Sequence, residues 1–417
     1  MLLLDRLFRR IVVHGSLHVT WPDGRTIRYG NGEMPRATIV VRDAATARRV
    51  ALHPSLAFGE AWMDGGIDTV GDGTLYDLLD LLLLNLAEGD APPLMRWLEQ
   101  LSTWFRRWQQ RNPVARAKAN VAHHYDLSGR LYSLFLDRDR QYSCAYFPTG
   151  AETLEQAQIA KKRHIAAKLC LDRPGLRVLD IGSGWGGLGL TLASEFGADV
   201  TGVTLSEEQF RESNARAAAA GLEGRVRFLL QDYRTVAERF DRVVSVGMFE
   251  HVGVTHYDAF FATVARCLAP DGVALVHAIG RPEGPGITNA WLRKYIFPGG
   301  YSPALSEVMP GIERSGMRVL DIEILRLHYA ETIRHWRERF ARNRDAVAAL
   351  YDERFCRMWE FYLVGCELAF RRQGHMVWQA QLGFRADAAP LTRDYIAESE
   401  ARAARRAADA SPLSTAG

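Results

Sequence analysis

A glycine-rich turn in the middle of the chain is the sequence feature with the clearest chemical meaning. Asp180-Ile-Gly-Ser-Gly-Trp-Gly-Gly follows a short apolar run and precedes a helical stretch. Gly182 and Gly184 let the backbone turn sharply and approach a ligand, and the following helix N-terminus offers free N–H groups. Dinucleotide enzymes and plain tight turns also contain such glycines. The D-x-G-x-G spacing is shorter than the dinucleotide fingerprint and favours S-adenosylmethionine (SAM).

Polar residues also follow the next two apolar runs of the chain. Thr204 and Gln209 come after the second run, where uncharged groups for a ribose are expected. Asp232 and Tyr233 end the third run, which is a natural place for contacts to an adenine ring. Thr204 and Ser206 also fit caps of the next helix, and Ser206 with Gln209 fits a capping box. Both roles can hold at once.

Glu250 and His277 are ionisable residues at the C-terminal ends of the fourth and fifth apolar runs. Doubly wound sheets bind their ligands at that edge. A carboxylate beside an imidazole can orient a small oxyanion and pass a proton onward. Taken singly, His277 also fits a hydrogen-bonded core histidine, and Glu250 with His251 fits an ion-paired turn.

The elements that must position these residues follow from an alternation of short apolar runs and helical stretches that begins at Gly175. This alternation predicts an α/β fold with a doubly wound, mostly parallel sheet. Two later runs predict closing strands, with a long helical insertion from Thr332 to Arg372 between them. The predicted strands are 177–181, 199–203, 226–230, 242–246, 272–277, 318–325 and 377–384.

Six sequence blocks resemble, in order, the cyclopropane fatty acyl phospholipid synthase family, and they span residues 120–390. The N-terminal stretches His14-Gly-Ser-Leu and Gly59-Glu-Ala-Trp-Met-Asp-Gly-Gly are similar to the extra domain of the long bacterial form, which the short mycolic acid members lack. The resemblance implies a class I SAM-dependent methyltransferase with a Rossmann-like sheet. The six blocks are His124-Tyr-Asp, Tyr142-Ser-Cys-Ala-Tyr-Phe, Thr153-Leu-Glu-Gln-Ala-Gln, Gly247-Met-Phe-Glu-His-Val-Gly, Tyr295-Ile-Phe-Pro-Gly-Gly and His328-Tyr-Ala-Glu-Thr.

The same resemblance implies a reaction and a set of residues for it. The methyl group of SAM passes to a cis double bond of a phospholipid acyl chain, and loss of a methyl proton closes a cyclopropane ring. A bound bicarbonate is implied as the base. Tyr142 and Ser143 resemble the family's contacts to the carboxylate end of SAM. Because the alkene is the nucleophile, a covalent step on the Cys144 thiolate has no role. The positions that match the bicarbonate site are Glu250, His277, Tyr329 and, through their backbones, Cys144 and Ile279.

The segment between Gly280 and Pro310 is longer than an ordinary methyltransferase needs, and we assign it to the acyl-chain pocket. Aromatic faces there would stabilise the sulfonium and the transient carbocation, although several of these rings also fit a core. Ser183 stands where the family usually has Cys, and Gly129-Arg-Leu-Tyr132 departs from the usual substrate-facing loop. The expected pocket residues are Trp291, Tyr295, Ile296, Phe297, Tyr301, Tyr125, Tyr132, Phe135 and Tyr146.

Charge is unevenly distributed over the first 118 residues, and Asn112-Pro113 predicts a domain boundary, before which we expect a smaller N-terminal α+β domain. Segments 1–49, 50–100 and 101–118 carry +5, −8 and +5. The stretch from Trp97 to Arg111 interleaves aromatic residues with arginine, which suits either an anionic headgroup layer or a connecting helix. The acidic middle segment is expected to face away from lipid or to pair with the catalytic domain. We predict a lipid- or membrane-docking domain over 1–115, a catalytic domain over 116–400 and a frayed tail over 401–417.

Composition limits the function classes further. With 417 residues, 47 % hydrophobic and 24 % charged, the chain can bury a sizeable core, and its net charge of +3 argues against a nucleic-acid binder that works by bulk charge. Five scattered cysteines without a C-x-x-C pair predict no disulfide framework and no metal site. The longest apolar stretch, Leu75 to Ala87, is interrupted by charges and falls short of the ~20 residues of a spanning helix.

These observations together predict a cytoplasmic enzyme that is peripherally associated with the inner face of the membrane. Its partner is an anionic phospholipid bilayer with unsaturated acyl chains, and a homodimer is left open. One alternative is a methyltransferase of the same superfamily that gives a methyl-branched or methylene acyl chain or acts on another small molecule. Another is a non-catalytic lipid-binding protein with a relic methyltransferase domain, against which the intact set of cofactor and base positions weighs.

Overall fold

The computed structural model describes residues 1–88 and 129–410. Residues 1–88 form a small α+β domain around a four-stranded sheet of order β2-β1-β3-β4, in which β1 and β3 are parallel. Alternate residues of β1 and β3 are fully buried and pack against Leu4 and Phe8 of α1. The elements of this domain are α1 (Leu2–Ile11), β1 (Ser16–Thr20), β2 (Thr26–Tyr29), β3 (Arg36–Val41), α2 (Ala44–Leu52), α3 (Pro54–Met63), β4 (Ile67–Thr69) and α4 (Leu75–Glu88).

Residues 129–410 form a larger α/β unit around a seven-stranded sheet. Its strands are β5 (Arg177–Ile181), β6 (Asp199–Thr204), β7 (Val226–Leu230), β8 (Phe240–Val246), β9 (Leu268–Gly280), β10 (Arg318–Leu325) and β11 (Met376–Gly383). Its helices are α5 (Gly129–Phe135), α6 (Leu154–Lys168), α7 (Gly187–Phe196), α8 (Glu207–Ala219), α9 (Tyr257–Cys267), α10 (Ala290–Tyr295), α11 (Leu305–Arg314), α12 (His328–Arg342), α13 (Arg344–Leu350), α14 (Glu353–Arg372) and α15 (Asp394–Ala410).

The seven-stranded sheet has the order β10-β11-β9-β8-β5-β6-β7. Strands β5 to β9 are parallel, whereas β11 runs antiparallel to both β9 and β10. The chain winds outward from β5 in one direction and returns to β8 on its other side, so a crevice opens at the carboxyl ends of β5 and β8. This architecture confirms the predicted doubly wound, mostly parallel sheet, and all seven predicted strands are present within a few residues.

The helical segment between β10 and β11 covers this carboxyl edge. The predicted insertion 332–372 is realised as α12, α13 and α14. Their inner faces join a large aromatic cluster that includes Tyr132 and Phe135 of α5 and Trp336 and Trp359 of the insertion, all fully buried. Dense edge-to-face contacts such as Phe135 against Trp359, with ring centroids 5.8 Å apart, hold this layer together.

The N-terminal domain packs against the larger α/β unit through the Gly59–Gly66 motif. Trp291 of α10 lies against Gly59, where a β-carbon would come within 2.5 Å of the indole ring, so only glycine fits. The indole Nε1 donates to the sulfur of Met63 at 3.2 Å. Glu60 accepts hydrogen bonds from Lys294 at 2.7 Å and from the hydroxyl of Tyr295 at 2.9 Å.

Acidic residues of the N-terminal domain extend this interface along helix α14. The carboxylates of three aspartates pair with arginines of that helix at 2.6 to 2.8 Å. The Arg357 guanidinium also lies 4.2 Å from the ring centroid of Trp62. Of the two predicted roles of the acidic segment, these residues therefore adopt the pairing with the catalytic domain. The pairs are Asp64 with Arg354, Asp68 with Arg357 and Asp80 with Arg372.

The C-terminal segment differs from the prediction. Helix α15 runs from Asp394 to Ala410, and Ala403 is buried against α6 and α7. The expected frayed tail from residue 401 is therefore wrong for residues 401–410, because the small side chain of Ala403 allows close helix packing. None of the helices among residues 1–88 and 129–410 is long and apolar enough to cross a membrane. The predicted boundary near Asn112-Pro113 and the Trp97–Arg111 stretch lie outside the described residues.

Candidate active site

A cavity opens at the carboxyl edge of the sheet, between the ends of β5, β6, β7 and β8. All nine residues predicted to bind the cofactor line it. The convergence follows from the fold, because the predicted residues come directly after parallel strands whose ends meet at one edge, or from the loop that covers them. The nine residues are Tyr142, Ser143, Asp180, Gly182, Gly184, Thr204, Gln209, Asp232 and Tyr233.

The turn after β5 forms the floor of the cavity. Gly182 has φ of +83°, and a β-carbon there would lie 2.9 Å from the side chain of Met248. The neighbouring carboxylate of Asp180 is buried, and its Oδ2 has no hydrogen-bond partner among the described residues. Burial raises the pKa of Asp180 to about 7, although the charge of Lys161 acts in the opposite direction. Asp180 therefore offers an unpaired acceptor toward a positively charged or N–H-bearing ligand.

Thr204 and Gln209 are joined to each other. The hydroxyl of Thr204 donates to Oε1 of Gln209 at 2.9 Å, and both side chains are buried. Ser206 caps helix α8 by accepting from the Gln209 backbone N–H at 3.3 Å. The predicted capping box is therefore only half formed, because the Gln209 side chain turns to Thr204 instead of to the Ser206 backbone. This leaves the Gln209 amide nitrogen as the donor available to a ribose hydroxyl.

Asp232 is held at the end of β7 by Arg234. Two guanidinium nitrogens donate to its two carboxylate oxygens at 2.9 and 2.6 Å. Burial opposes ionisation of Asp232, but the hydrogen bonds from Arg234 outweigh burial and lower the pKa. Tyr233 packs edge-on against Phe260 with centroids 5.6 Å apart. The aromatic face of Tyr233 suits contact with an adenine ring, whereas the Asp232 carboxylate is already shared with Arg234.

Tyr142 connects the cavity to the aromatic cluster. Its ring stacks on Trp336 at a centroid distance of 5.2 Å, and its hydroxyl forms a 2.7 Å hydrogen bond with the hydroxyl of Tyr362. Burial raises the pKa of Tyr362 well above its usual range. The pair is therefore neutral, and it places a phenol on the cavity wall without adding a charge beside the ligand.

Glu250 and Ile279 form the central contact of the predicted base site. Oε1 of Glu250 accepts the backbone N–H of Ile279 at 2.6 Å, so that amide is already used. Oε2 is buried and has no hydrogen-bond partner among the described residues. Burial raises the pKa of Glu250 to about 7, and the Ile279 hydrogen bond only partly offsets it. Glu250 can therefore hold or release a proton near neutral pH at an atom that no other side chain occupies.

His277 is held in one tautomer by a chain of hydrogen bonds. Lys168 donates to Oε1 of Gln379 at 3.1 Å, which turns the Gln379 amide nitrogen toward Nδ1 of His277, 3.1 Å away. Nδ1 is therefore the acceptor, and the ring hydrogen lies on Nε2. Burial, together with the charges of Lys161 and Lys168, lowers the pKa of His277 well below its usual range. His277 is thus a neutral donor through Nε2.

Cys144 and Tyr329 complete the five predicted residues and belong to the same buried cluster, against which Ile279 packs. The thiol of Cys144 donates to the carbonyl of Ala145 at 3.2 Å, and burial raises its pKa. The loop and helix α12 are tied because Thr332, in the turn after Tyr329, accepts from the Ala145 N–H at 3.0 Å. A thiol with a raised pKa is a poor nucleophile.

The five predicted base residues lie next to the cofactor cavity but do not line it. None of the five lines the cavity, whereas Met248 and His251, which flank Glu250, do. Gly247 also lines it and donates to the carbonyl of His277 at 2.9 Å. The predicted base residues are therefore joined to the cavity wall through their chain neighbours, and Cys144, Tyr329 and Ile279 lie on the side of the aromatic cluster.

Several of the residues assigned to the acyl-chain pocket have other contacts. Trp291 is fully buried against the N-terminal domain, and the Tyr301 hydroxyl donates to Glu307 at 2.6 Å. Tyr146 stacks between His164 and His328. Tyr125 lies outside the described residues. The pocket assignment therefore stays a prediction, and Trp291 has a structural role in the domain interface.

Sequence reasoning did not identify Lys161, Gln379 or Tyr362. Lys161 lies two helical turns after Thr153. The one sequence signal for a role of Lys161 is a row of polar residues on the face of α6 that is buried in the structure. Gln379 and Tyr362 lie in apolar stretches far along the chain. The pairing of β11 with β9 sets Gln379 opposite His277, and the packing of α14 brings the Tyr362 hydroxyl to Tyr142.

Comparisons with known proteins find relatives over most of the chain. A sequence model of the family described as mycolic acid cyclopropane synthetase matches residues 113–380, and a domain of unknown function, DUF7884, matches residues 3–86. The cyclopropane-fatty-acyl-phospholipid synthase of Escherichia coli K12 is 38 % identical over 87 % of this chain and 94 % of its own length. The tuberculostearic acid methyltransferase UfaA1 of Mycobacterium tuberculosis is 37 % identical over 88 % of this chain and 87 % of its own length.

A solved structure extends the similarity to the fold. The mycolic acid cyclopropane synthase CmaA1, complexed with SAH and CTAB, superposes with a TM-score of 0.60 at 35 % identity. The match covers 64 % of this chain and 97 % of that one, so residues outside it include much of the N-terminal part.

Proposed function

Because the chain belongs to the mycolic acid cyclopropane synthetase family and is a SAM-dependent methyltransferase, we propose that it methylates a cis double bond in a phospholipid acyl chain and closes a cyclopropane ring. The alkene attacks the sulfonium methyl, S-adenosylhomocysteine (SAH) leaves, and a carbocation remains at the former double bond. Loss of one methyl proton then forms the third ring bond. The chemistry requires a cofactor cavity with a base site directly beside it.

The observation that carries this proposal is the buried, unpaired Oε2 of Glu250 immediately behind the cavity wall. A base site must take a proton from a carbocation without itself accepting the methyl group. The described surroundings meet this need because the Cys144 thiol stays protonated and His277 is neutral, with its Nε2 bearing hydrogen. Aromatic rings of the adjoining cluster supply a cation-stabilising wall.

The residues present also fit a bicarbonate ion. Glu250 offers its Oε2 and His277 offers an Nε2–H. One ionisable acid and one neutral hydrogen-bond donor suit the binding of a small oxyanion. When bound, bicarbonate supplies the proton acceptor for ring closure. Glu250, His277 and Tyr329 would hold it, together with the backbone of Cys144. The Ile279 amide acts on Glu250 in this structure, so its part is to orient that carboxylate.

A second product is favoured by one comparison. A relative of nearly equal identity is named a tuberculostearic acid methyltransferase and not a cyclopropane synthase. The same carbocation leads to a methylene acyl chain if a hydride shift precedes loss of the methyl proton, and to a saturated methyl-branched chain if a separate hydride-donating reductant quenches it. Glu250, His277 and Tyr329 at the base site favour ring closure.

The partner that we propose is an anionic phospholipid bilayer, which the cytoplasmic enzyme binds at the inner face of the membrane. A homodimer is left open. In α1, Leu2 and Leu3 are 74 % and 52 % exposed beside the exposed Arg6, Arg9 and Arg10, while Leu4 and Phe8 hold the helix to the domain. Apolar tips beside cations suit a headgroup layer. The Trp97–Arg111 stretch, which carries the same chemistry, lies outside the described residues.

The experiment that tests the proposal uses the full chain, SAM and vesicles of phosphatidylglycerol with cis-monounsaturated chains. The acyl methyl esters are then analysed by mass spectrometry and proton NMR. A mass gain of one CH₂ with upfield cyclopropane proton signals supports ring closure. A gain of CH₂ with vinylic or exomethylene proton signals, or a gain of CH₄ with a branched methyl signal, supports the second product. No SAM-dependent mass gain contradicts both.

A further inference from the structure

Lys161 on helix α6 is a buried cation that the reaction scheme above does not use. Its side chain is 1 % exposed, and Nζ donates to Oγ of Ser143 at 2.9 Å and to Oε1 of Gln141 at 2.7 Å. Among the described residues no carboxylate oxygen lies within 4 Å of Nζ, so the ammonium has neutral acceptors only. Burying an ammonium without a direct counter-ion is costly, which indicates a role beyond packing.

Helix α6 grips the loop that carries Tyr142 and Ser143. Gln158, one turn before Lys161, donates to the backbone carbonyl of Ser143 at 3.0 Å, so backbone and side chain of the loop are both fixed from one helix face. Gln141 and Ser143 both line the cofactor cavity. The cation therefore reaches the cavity wall through two polar side chains and does not enter the cavity itself.

The Ser143 hydroxyl has a defined direction because of Lys161. An ammonium only donates, so Oγ of Ser143 must accept from it and is left with its own hydrogen to donate. No acceptor for that hydrogen is found among the described residues. On the cavity floor, Asp180 keeps an unpaired Oδ2. The cavity thus offers a donor backed by a positive charge and, separately, a carboxylate acceptor, which matches the carboxylate and ammonium of an α-amino acid.

We propose that Lys161 is a positioning residue for the amino-acid end of the cofactor: through Ser143 it directs a hydroxyl donor and a positive potential at the cofactor carboxylate. The inference rests on the proposed function, since it assumes SAM in this cavity. Burial lowers the pKa of Lys161 to about 8, and nearby Asp137 and Asp139 favour its charged form, so the group is still largely protonated at neutral pH.

The test compares two ligands that differ only in the part recognised. SAH carries the amino-acid end, whereas 5′-methylthioadenosine has the same adenosine and thioether without it. The dissociation constants of both are measured by calorimetry for wild type, Lys161→Met, Lys161→Arg and Ser143→Ala. Arg163→Met is the matched control, because it removes another cation of α6 whose partner, Glu195 on α7, does not line the cavity.

We expect Lys161→Met and Ser143→Ala to weaken SAH by about 10- to 100-fold, as for loss of a charge-assisted hydrogen bond, and 5′-methylthioadenosine by less than about threefold. Lys161→Arg should recover part of the SAH affinity, and Arg163→Met should change neither dissociation constant. Equal weakening of both ligands, or no change in SAH, overturns the inference. If Lys161→Met does not fold, Ser143→Ala alone decides by the same two ligands. Wild type binding neither ligand instead contradicts the proposed function.

Discussion

The carboxylate of Glu250 and the backbone amide of Ile279 are joined by a 2.6 Å hydrogen bond that fixes the carboxylate and leaves its other oxygen buried without a partner among the described residues. The bond crosses from the turn after β8 to the end of β9, so the two strand ends set the direction of the carboxylate. It also shows how Ile279, an apolar residue, contacts a predicted base residue through its backbone alone.

Glu250→Gln and His277→Ala are predicted to lower turnover about 10²-fold or more, because they remove proton-handling groups and leave the cofactor cavity intact. Single-turnover rates with saturating SAM measure the loss. SAH affinity, measured in parallel, should stay close to that of wild type. A parallel collapse of SAH binding would place these residues in the cofactor site instead.

Glu250→Gln is also predicted to raise stability above neutral pH. Burial raises the folded-state pKa of Glu250 to about 7 from an ordinary 4.5, so the stability that protonated Glu250 provides is lost as the pH rises through about 7. The shift corresponds to roughly 3 kcal/mol at most. Gln cannot ionise, so the melting temperature of the variant should gain on wild type between pH 5 and pH 8. A constant difference across that range contradicts the buried, unpaired carboxylate.

Gly182→Val is predicted to abolish SAM and SAH binding in a folded protein. In the structure Gly182 has φ of +83°, and a β-carbon there would lie 2.9 Å from Met248 and displace the cavity wall. Gly175→Val is the matched control, since Gly175 also has positive φ but no atom within 4 Å of the added β-carbon. Normal SAH binding by folded Gly182→Val would show that the cofactor lies elsewhere.

Replacing Arg106, Arg107 and Arg111 with Gln is predicted to weaken binding to phosphatidylglycerol vesicles by about two orders of magnitude at low salt, at about 1 kcal/mol for each cation. Vesicle sedimentation at low and high salt measures the effect. The control removes the same charge from the exposed Arg402, Arg405 and Arg406 of α15, far along the chain. Equal binding by both triple variants and wild type would assign the first three arginines to a protein interface.

His164 is predicted to release helix α15 as the pH rises. Its two ring nitrogens lie 2.7 Å from Glu323 and 2.6 Å from Glu400, so both donate and the ring is cationic. Burial and the charge of Lys168 oppose this, but the two carboxylates outweigh them and raise the pKa above 6.5. The stability is therefore complete below pH 6.5 and is lost as the pH passes the folded-state pKa.

Hydrogen exchange of residues 394–407, corrected for intrinsic rates, measures this release. Protection in wild type should fall from pH 6 to pH 9, whereas His164→Gln should be poorly protected throughout. Wild-type protection that does not change with pH would mean that the imidazolium does not hold the helix.

The sequence could predict that the nine candidate cofactor residues lie together because each follows a parallel strand or a recognisable block, and parallel strand ends must meet. Asp180 and Thr204 are examples. It could not predict contacts set by register or rotamer. The placement of Gln379 against His277 depends on how β11 pairs with β9, and the turn of Gln209 toward Thr204 depends on a side-chain choice between two partners. The length of α15 was not predicted because a single buried residue, Ala403, indicates that the helix continues.

Because Trp291 packs on Gly59, the segment 290–301 connects the N-terminal domain to the larger α/β unit. One end is clamped by the N-terminal domain, and at the other the N–H of Tyr301 donates to the carbonyl of Glu250 at 3.0 Å while Phe297 packs near His251. The N-terminal domain is thus connected, through a dozen residues of continuous chain, to the turn that carries Glu250. In the proposed function, this segment would link bilayer contact mechanically to proton handling.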